Sequence, residues 1–374
     1  MKHYQSGTLI ERANYKSFEP SEINRAWEIS SPKVLQALSV ADRNIGRLDM
    51  FSEYIPDLDL FVEMHVTKEA TQSSKIEDTQ TEMEEALLPI EEISLERRDD
   101  WEEVRNYIAA MNESVASLED LPFSNRLIKS THRRLMQGVR GETKTPGEYR
   151  MSQNWIGGSS PSNARFVPPF HDNVAALMGD LELFAHNLDI HIPPLIKVAI
   201  IHYQFETIHP FLDGNGRVGR LLIPLFLISE SILKKPVLYV SDFLEKNRTE
   251  YYQRLTDVRD NNDLEGWLIF FLNGVSETAR KGVDTFNNVL QFQKQWVADI
   301  SSWTSQSSFG LALFNELLRN PIVNAQMVAD VIDASMPTAY KLLDKFVDCG
   351  LLKILNEGKR NRLFICAPYL EIYK

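Results

Sequence analysis

Apolar residues recur at helical spacing along most of this chain. From Pro32 the series Val34, Leu35, Leu38, Ala41, Ile45 and Leu48 predicts one amphipathic helix, with proline suited to its first turn. Ile55-Pro56-Asp57 predicts a turn, and Thr67–Leu88 a second helical stretch. Trp101–Leu118 and Ser124–Gln137 predict two more helices. Pro194–Ile208 is apolar at Ile196, Ala199, Ile200, Tyr203 and Ile208, and Pro210 should end that helix at about His209. Arg217–Ser229 predicts a strongly apolar helix kinked by Pro224, and Glu265–Trp303 reads as long helices. Gly147–Pro169 breaks this rhythm. Two short apolar pieces flank a Gly/Ser/Pro/Asn loop, which predicts a β-hairpin. Residues 1–30 carry Tyr4, Ile10, Tyr15 and Trp27 without a period, and predict an extended arm packed on the body.

Serines crowd Ser301–Ser308, which reads as a linker. Beyond it lie helices at Leu311–Leu318, Ala325–Ile332 and from near Ser335 to Val347. Two strands joined by the turn Asn356–Lys359 follow them. The expected architecture is therefore mainly α, with a small hairpin and a separate C-terminal unit. We divide it as an N-terminal helical region at 1–100, a core at 101–300 and the last unit at 307–374.

Composition narrows the partners. Hydrophobic content of 43% and charged content of 25% are those of an ordinary globular protein. No apolar run approaches the ~20 residues of a membrane span. The polar N-terminus lacks a signal-peptide pattern. Cys349 and Cys366 lack metal-ligand spacing, which points to a reducing cytoplasm. A net charge of −12 argues against indiscriminate nucleic-acid binding and makes any phosphate site a local positive spot.

Such a spot is written at residues 209–220, His-Pro-Phe-Leu-Asp-Gly-Asn-Gly-Arg-Val-Gly-Arg. Two glycines around Asn215 let the backbone approach a ligand closely, and successive N–H groups there form an anion nest. The next helix turns its positive dipole end to that nest. Arg217 and Arg220 lie three apart on its first turn. Asp213 is a hard oxygen ligand suited to the Mg²⁺ of a nucleotide. His209 titrates near neutrality when unperturbed and can take a proton. A nucleotide site with a base and no evident side-chain nucleophile suggests direct transfer to an incoming hydroxyl. His202, seven residues before His209, reads as a core histidine rather than half of a metal pair.

The string His209-Pro210-Phe211-x-Asp213-Gly214-Asn215-Gly216-Arg217-x-x-Arg220 resembles the signature of the Fic family of nucleotidyltransferases. The resemblance implies transfer of AMP from ATP to a Ser, Thr or Tyr hydroxyl of a target protein. His209 would deprotonate the hydroxyl and Asp213 would hold Mg²⁺. Asn215 and the N–H groups at Gly214 and Gly216 would bind the α-phosphate. Arg217 would neutralise the β-phosphate, Arg220 would reach the γ-phosphate, and Phe211 would anchor the loop. Arg217, where a phosphorylating branch has Lys, favours AMP.

Ser73-x-x-x-Glu77 resembles the family's inhibitory helix, so Glu77 would pair with Arg220 and misplace ATP. Asp78 departs from the family's Gly or Asn at the next position. Gly147–Pro169 would be the flap that docks the target by β-strand addition, with Trp155, Ile156, Phe166 and Val167 as clamps. Tyr252, ahead of Tyr251, would line the adenine pocket. The acidic stretch Glu82–Glu103 reads as solvated, not as a metal site.

Residues 307–374 resemble a winged helix-turn-helix. From Ser307 onward 8 Lys+Arg stand against 7 Asp+Glu, and Asp344 and Asp348 flank Lys341 and Lys345. This favours a protein contact or a homodimer over DNA. Two other functions fit the same residues. One is transfer of another nucleotide, or removal of AMP. The other is a DNA-binding regulator whose nucleotide site acts as a sensor.

Overall fold

A computed structural model of the protein describes residues 4–54, 58–138, 143–356 and 362–374. Side chains are described in those segments except at 53, 54 and 58–60. The expected turn at 55–57 and the wing-tip residues 357–361 lie outside the described residues.

The N-terminal arm is a hairpin of β1 (Gly7–Glu11) and β2 (Lys16–Pro20), antiparallel with Leu9 opposite Phe18. Ser6 donates its N–H to the Asn262 side chain, and the Phe18 N–H bonds the Val167 carbonyl. The arm thus packs on the body, as expected, and also covers the flap segment.

Helices α1 (Pro32–Tyr54), α2 (Leu58–Ile76), α3 (Met83–Ala86), α4 (Arg98–Ser117) and α5 (Asn125–Leu135) follow. Thr67–Leu88 is therefore not one helix. Its first part is the end of α2, which stops at Ile76. Asp78 then takes φ 67°, a left-handed turn that sends the chain away. Ser124 caps α5 by accepting the Leu127 N–H.

The core is α6 (Val174–His186), α7 (Pro194–Ile208) and α8 (Asn215–Ser229), enclosed by α9 (Ser241–Lys246), α10 (Arg248–Asn261) and α11 (Leu264–Ser301). Every residue of α7 from Leu195 to Ile208 is buried, so it forms the centre of the molecule. Helix α8 continues across Pro224. The long helices expected at 265–303 are a single helix, α11, which packs along α1 and reaches the C-terminal unit through Phe292.

That unit consists of α12 (Ser307–Arg319), β3 (Ile322–Asn324), α13 (Ala325–Val331), α14 (Met336–Asp348), β4 (Lys353–Ile354), β5 (Leu363–Ile365) and α15 (Ala367–Glu371). Its sheet has order β3-β5-β4. Strand β3 was not legible in the pattern because Ile322-Val323-Asn324 is only three residues long. The unit leans on α2, where the Tyr373 ring meets His65 edge-on at 5.1 Å, and on α3, where Lys374 pairs with Glu84 at 2.8 Å.

Candidate functional site

Helix α7 does end at Ile208. His209 takes a left-handed conformation (φ 50°) that turns the chain into the loop. Three buried side chains hold that turn. Arg150 donates from Nε to the His209 carbonyl at 2.9 Å and from Nη2 to the Pro169 carbonyl at 2.6 Å. Asn154 donates to the Phe211 carbonyl at 2.9 Å. His132 accepts the Gly147 N–H at Nδ1 (2.7 Å), so its Nε2–H donates to the Asp213 carbonyl (3.0 Å). Its ring also stacks on Phe211 at 3.7 Å. None of the three stood out in the sequence, because each acts on backbone atoms far along the chain.

The Asn215 side chain is turned onto the loop's own backbone. Its Oδ1 accepts the Phe211 N–H at 2.8 Å and its Nδ2 donates to the Phe211 carbonyl at 2.9 Å. The amide closes the loop with its oxygen and one of its two N–H donors, beside the backbone N–H groups that open α8. Gly214 caps α8 at φ 73° with no side chain across the helix end. The first turn of α8 therefore presents its free N–H groups.

The two arginines are held differently. Arg217 bonds Glu103 from Nη1 at 3.0 Å, both side chains being buried, while Asp213 stands 3.9 Å from Nη2. Its Nε is buried without a partner. Glu103, expected in solvent, is thus part of the site; it is the one acidic residue of its stretch that α4 turns inward.

Arg220 is almost completely buried. Its Nε donates to Ser73 Oγ at 2.8 Å, and its Nη2 donates to the Ser73 carbonyl at 2.9 Å and to Glu77 Oε1 at 2.8 Å. The structure thereby joins Ser73 and Glu77 to Arg220 across more than 140 residues of sequence. A Cβ on Gly216 would lie 2.3 Å from Glu77 Oε1, so the carboxylate sits directly over the first turn of α8. A larger residue at 216 would push the Glu77 carboxylate aside.

Burial raises the Glu77 pKa, but the Arg220 charge and hydrogen bond, with Arg217 and His209, outweigh it and hold the carboxyl below its usual value. Arg220 is held in the charged form, because Glu77 more than offsets burial. Burial and then Arg150 push His209 down to about 4, with Glu77 opposing, so the imidazole is neutral at pH 7 and its lone pair is free to accept a proton. Its Nδ1 is buried without a partner. Glu206, one turn earlier, is pushed up to about 7 by burial against the pull of Arg220.

Asp78 reaches outward. It accepts from Arg248 Nη1 at 2.8 Å, and that guanidinium lies 6.0 Å from the Tyr252 ring centre. Tyr252 is half-buried beside Glu77 and Arg220. Tyr251 is buried and bonds Nε2 of His202, whose Nδ1 meets the Gly219 carbonyl at 2.9 Å. His202 is the core histidine the pattern suggested.

The flap segment is not a full hairpin. Ile156 and Phe166 form a single antiparallel bridge, and a short 3₁₀ turn at Pro161–Asn163 fills the tip. The N-terminal hairpin occupies the backbone at Val167, whose side chain is buried, and Phe166 lies beneath the Arg259 guanidinium at 3.9 Å. Val167 alone of the four is buried; Ile156 and Phe166, opposite each other in the bridge, are half-exposed, and Trp155 is exposed.

Among the described residues no cluster of three acidic, histidine or cysteine side chains could hold a metal alone. Asp213 is half-exposed at the mouth of the nest, and one of its oxygens accepts the Gly214 N–H. A single carboxylate beside phosphate oxygens and water is the way Mg²⁺ is commonly held, so the residues fit it.

Comparison with known proteins agrees with this geometry. Residues 35–116 match the Fic/DOC family N-terminal domain, and residues 122–227 match the Fic/DOC family domain. Protein adenylyltransferase Fic of Drosophila persimilis is 28% identical over 247 residues, 65% of this chain and 42% of that one. The Drosophila virilis relative is 29% identical over 184 residues, 48% of this chain and 34% of that one. The chain thus spans less than half the length of these curated relatives. A crystal structure of a Fic family protein from Desulfovibrio desulfuricans shares the fold with a TM-score of 0.59 at 22% identity, covering 91% of this chain and 98% of that one. Fic-1 from C. elegans does so with a TM-score of 0.52 at 20% identity, covering 70% and 75%. With two domain matches that together take in half of its residues around the 209–220 loop, the chain belongs to the Fic/DOC family.

Proposed function

We propose that this protein transfers AMP from ATP to a Ser, Thr or Tyr hydroxyl of a target protein, and that Glu77 holds the activity back. The observation that carries the reading is the Glu77 carboxylate on Arg220 at 2.8 Å, over the first turn of α8. An anion already occupies the place built for one.

In the transfer, the acceptor oxygen bonds the α-phosphorus and the bond to the β-phosphate oxygen breaks. Pyrophosphate leaves with the electron pair, and the hydroxyl proton passes to His209. Phosphates bound nearby make His209 more basic than it is in the free site. The α8 N–H groups face the α-phosphate, and the unpartnered Arg217 Nε supplies a donor to the β-phosphate. Arg220 reaches the γ-phosphate once Glu77 leaves. Mg²⁺, held by Asp213, would neutralise phosphate charge. Tyr252 lines the adenine side, and Trp155 and Ile156 are the flap residues open to a target.

The C-terminal unit reads better as a contact for protein, including a second copy, than for DNA. Lys345 of α14 is engaged over the Trp303 ring at 3.6 Å, and the same helix carries Asp344 and Asp348. That leaves it little positive face for a phosphate backbone.

Intact-mass measurement after incubation with ATP and Mg²⁺ tests the function. A charge-assisted hydrogen bond is worth ~1.5–3 kcal/mol, and the 38% exposure of Glu77 places this one at the low end. Glu77→Gly should therefore gain AMP roughly tenfold faster than wild type. A mass gain of phosphate instead of AMP, or no gain in either protein, would reject the reading.

A further inference from the structure

A small cavity, of about 50 Å³, lies on α2 between that helix, the segment before α9, α9 itself and α11. By a water-sized probe this is room for about four waters, too small for a nucleotide. Lys68 and Gln72 of α2, Tyr239, Asp242 of α9 and Lys281 of α11 line it.

Its donors and acceptors are unbalanced. The Tyr239 hydroxyl is buried without a hydrogen-bond partner, and burial together with Glu69 keeps it protonated. Lys68 is half-buried; Asp242 is the charge that acts on it most, without forming an ion pair within 4 Å among the described residues. The lining carboxylates are already taken. Asp242 sits between Lys246 at 2.9 Å and Lys281 at 3.7 Å. Glu69 accepts from the Ser241 hydroxyl and N–H and from Tyr107. His65, also on the wall, is kept neutral by burial. Unpartnered donors around a small cavity suit an acceptor-rich anion.

We propose that this cavity binds a small oxyanion of the phosphate type, and that its occupancy fixes α2 where Glu77 meets Arg220. Lys68, Glu69 and Gln72 precede Ser73 and Glu77 on the same chain segment, Gln72 directly adjoining Ser73. A ligand bridging α2 to α9 and α11 favours the conformation that forms the cavity, which is the one with Glu77 on Arg220. The regulatory half of this proposal rests on the adenylyltransferase reading; the binding half does not.

Inorganic phosphate, titrated at constant ionic strength, should raise the unfolding midpoint of wild type. The rise should be lost in Lys68→Met and reduced in Tyr239→Phe, which changes no charge. An equal rise in wild type and Lys68→Met, as phosphate held only by the Arg217 loop would give, overturns the site. So does no rise in wild type. Glycerol phosphate in parallel distinguishes a free anion from a phosphoryl group on a larger molecule. In the intact-mass assay with ATP and Mg²⁺, phosphate should slow AMP transfer by wild type but not by Lys68→Met or Glu77→Gly. Equal slowing in all three overturns the coupling. If no protein gains AMP at all, the function fails while the midpoint data still decide the site.

Discussion

Glu103→Ala separates the two arginines of the loop. The substitution leaves Arg217 buried with no carboxylate at hydrogen-bond distance, since Asp213 is 3.9 Å away. Removing one partner of a buried ion pair costs about 3–5 kcal/mol, and the nearby Asp213 sets the value at the lower end. For a catalytic unit of this size, roughly 3 kcal/mol lowers the unfolding midpoint by about 6–12 °C. A bound nucleotide brings negative oxygens back to Arg217. ATP with Mg²⁺ should therefore raise the midpoint more in Glu103→Ala than in wild type. Scanning fluorimetry with and without ATP measures both, best in a Glu77→Gly background where the nucleotide enters freely. A fall of less than about 2 °C in the apo protein would refute the claim that this pair is buried and uncompensated. Equal stabilisation by ATP would refute the assignment of Arg217 to a phosphate.

Three further outcomes are expected. Glu206 has its pKa raised to about 7 by burial, with Glu77 adding to the rise and Arg220 and Arg259 opposing it. Its contribution to stability is thus full below the ordinary carboxyl value and is lost as pH rises to 7. Glu206→Gln should then raise the urea midpoint at pH 8 and change it far less at pH 5; equal changes at both would contradict the burial argument. Asp78→Gly removes a left-handed aspartate worth about 1 kcal/mol, at the loss of the exposed Arg248 pair, so basal AMP transfer should fall about fivefold. Faster transfer would mean that the Arg248 pair, not the turn, sets the lock. Ile156→Asp should lower modification of a target while leaving ATP affinity intact, and parallel loss of both would remove Ile156 from docking.

Much of the site was legible because its chemistry is local. His209, Asp213, Arg217 and Arg220 fall within 12 consecutive residues whose glycines and proline dictate the turn. The Ser73–Glu77 spacing was visible too, and the resemblance implied the pairing with Arg220 that the fold makes at 2.8 Å. Glu103, Arg150 and His132 were not legible. Glu103 sits among solvated acids and is singled out only by the rotation of α4, while Arg150 and His132 bind carbonyls of a loop remote in sequence. Helix boundaries failed where backbone conformation overrode the pattern. Thr67–Leu88 keeps helical polarity, yet Asp78 turns left-handed and ends the run. The flap's two apolar pieces are too short to form strands, and the N-terminal hairpin took the pairing at Val167.

Transfer of label from ATP, compared at the α- and γ-phosphates, tests the central claim most directly. Glu77→Gly should become labelled from α-labelled ATP and not from γ-labelled ATP, wild type should label far more slowly, and adding His209→Ala should abolish the signal. Label from the γ-phosphate, or α-label that survives His209→Ala, would contradict AMP transfer with His209 as the base.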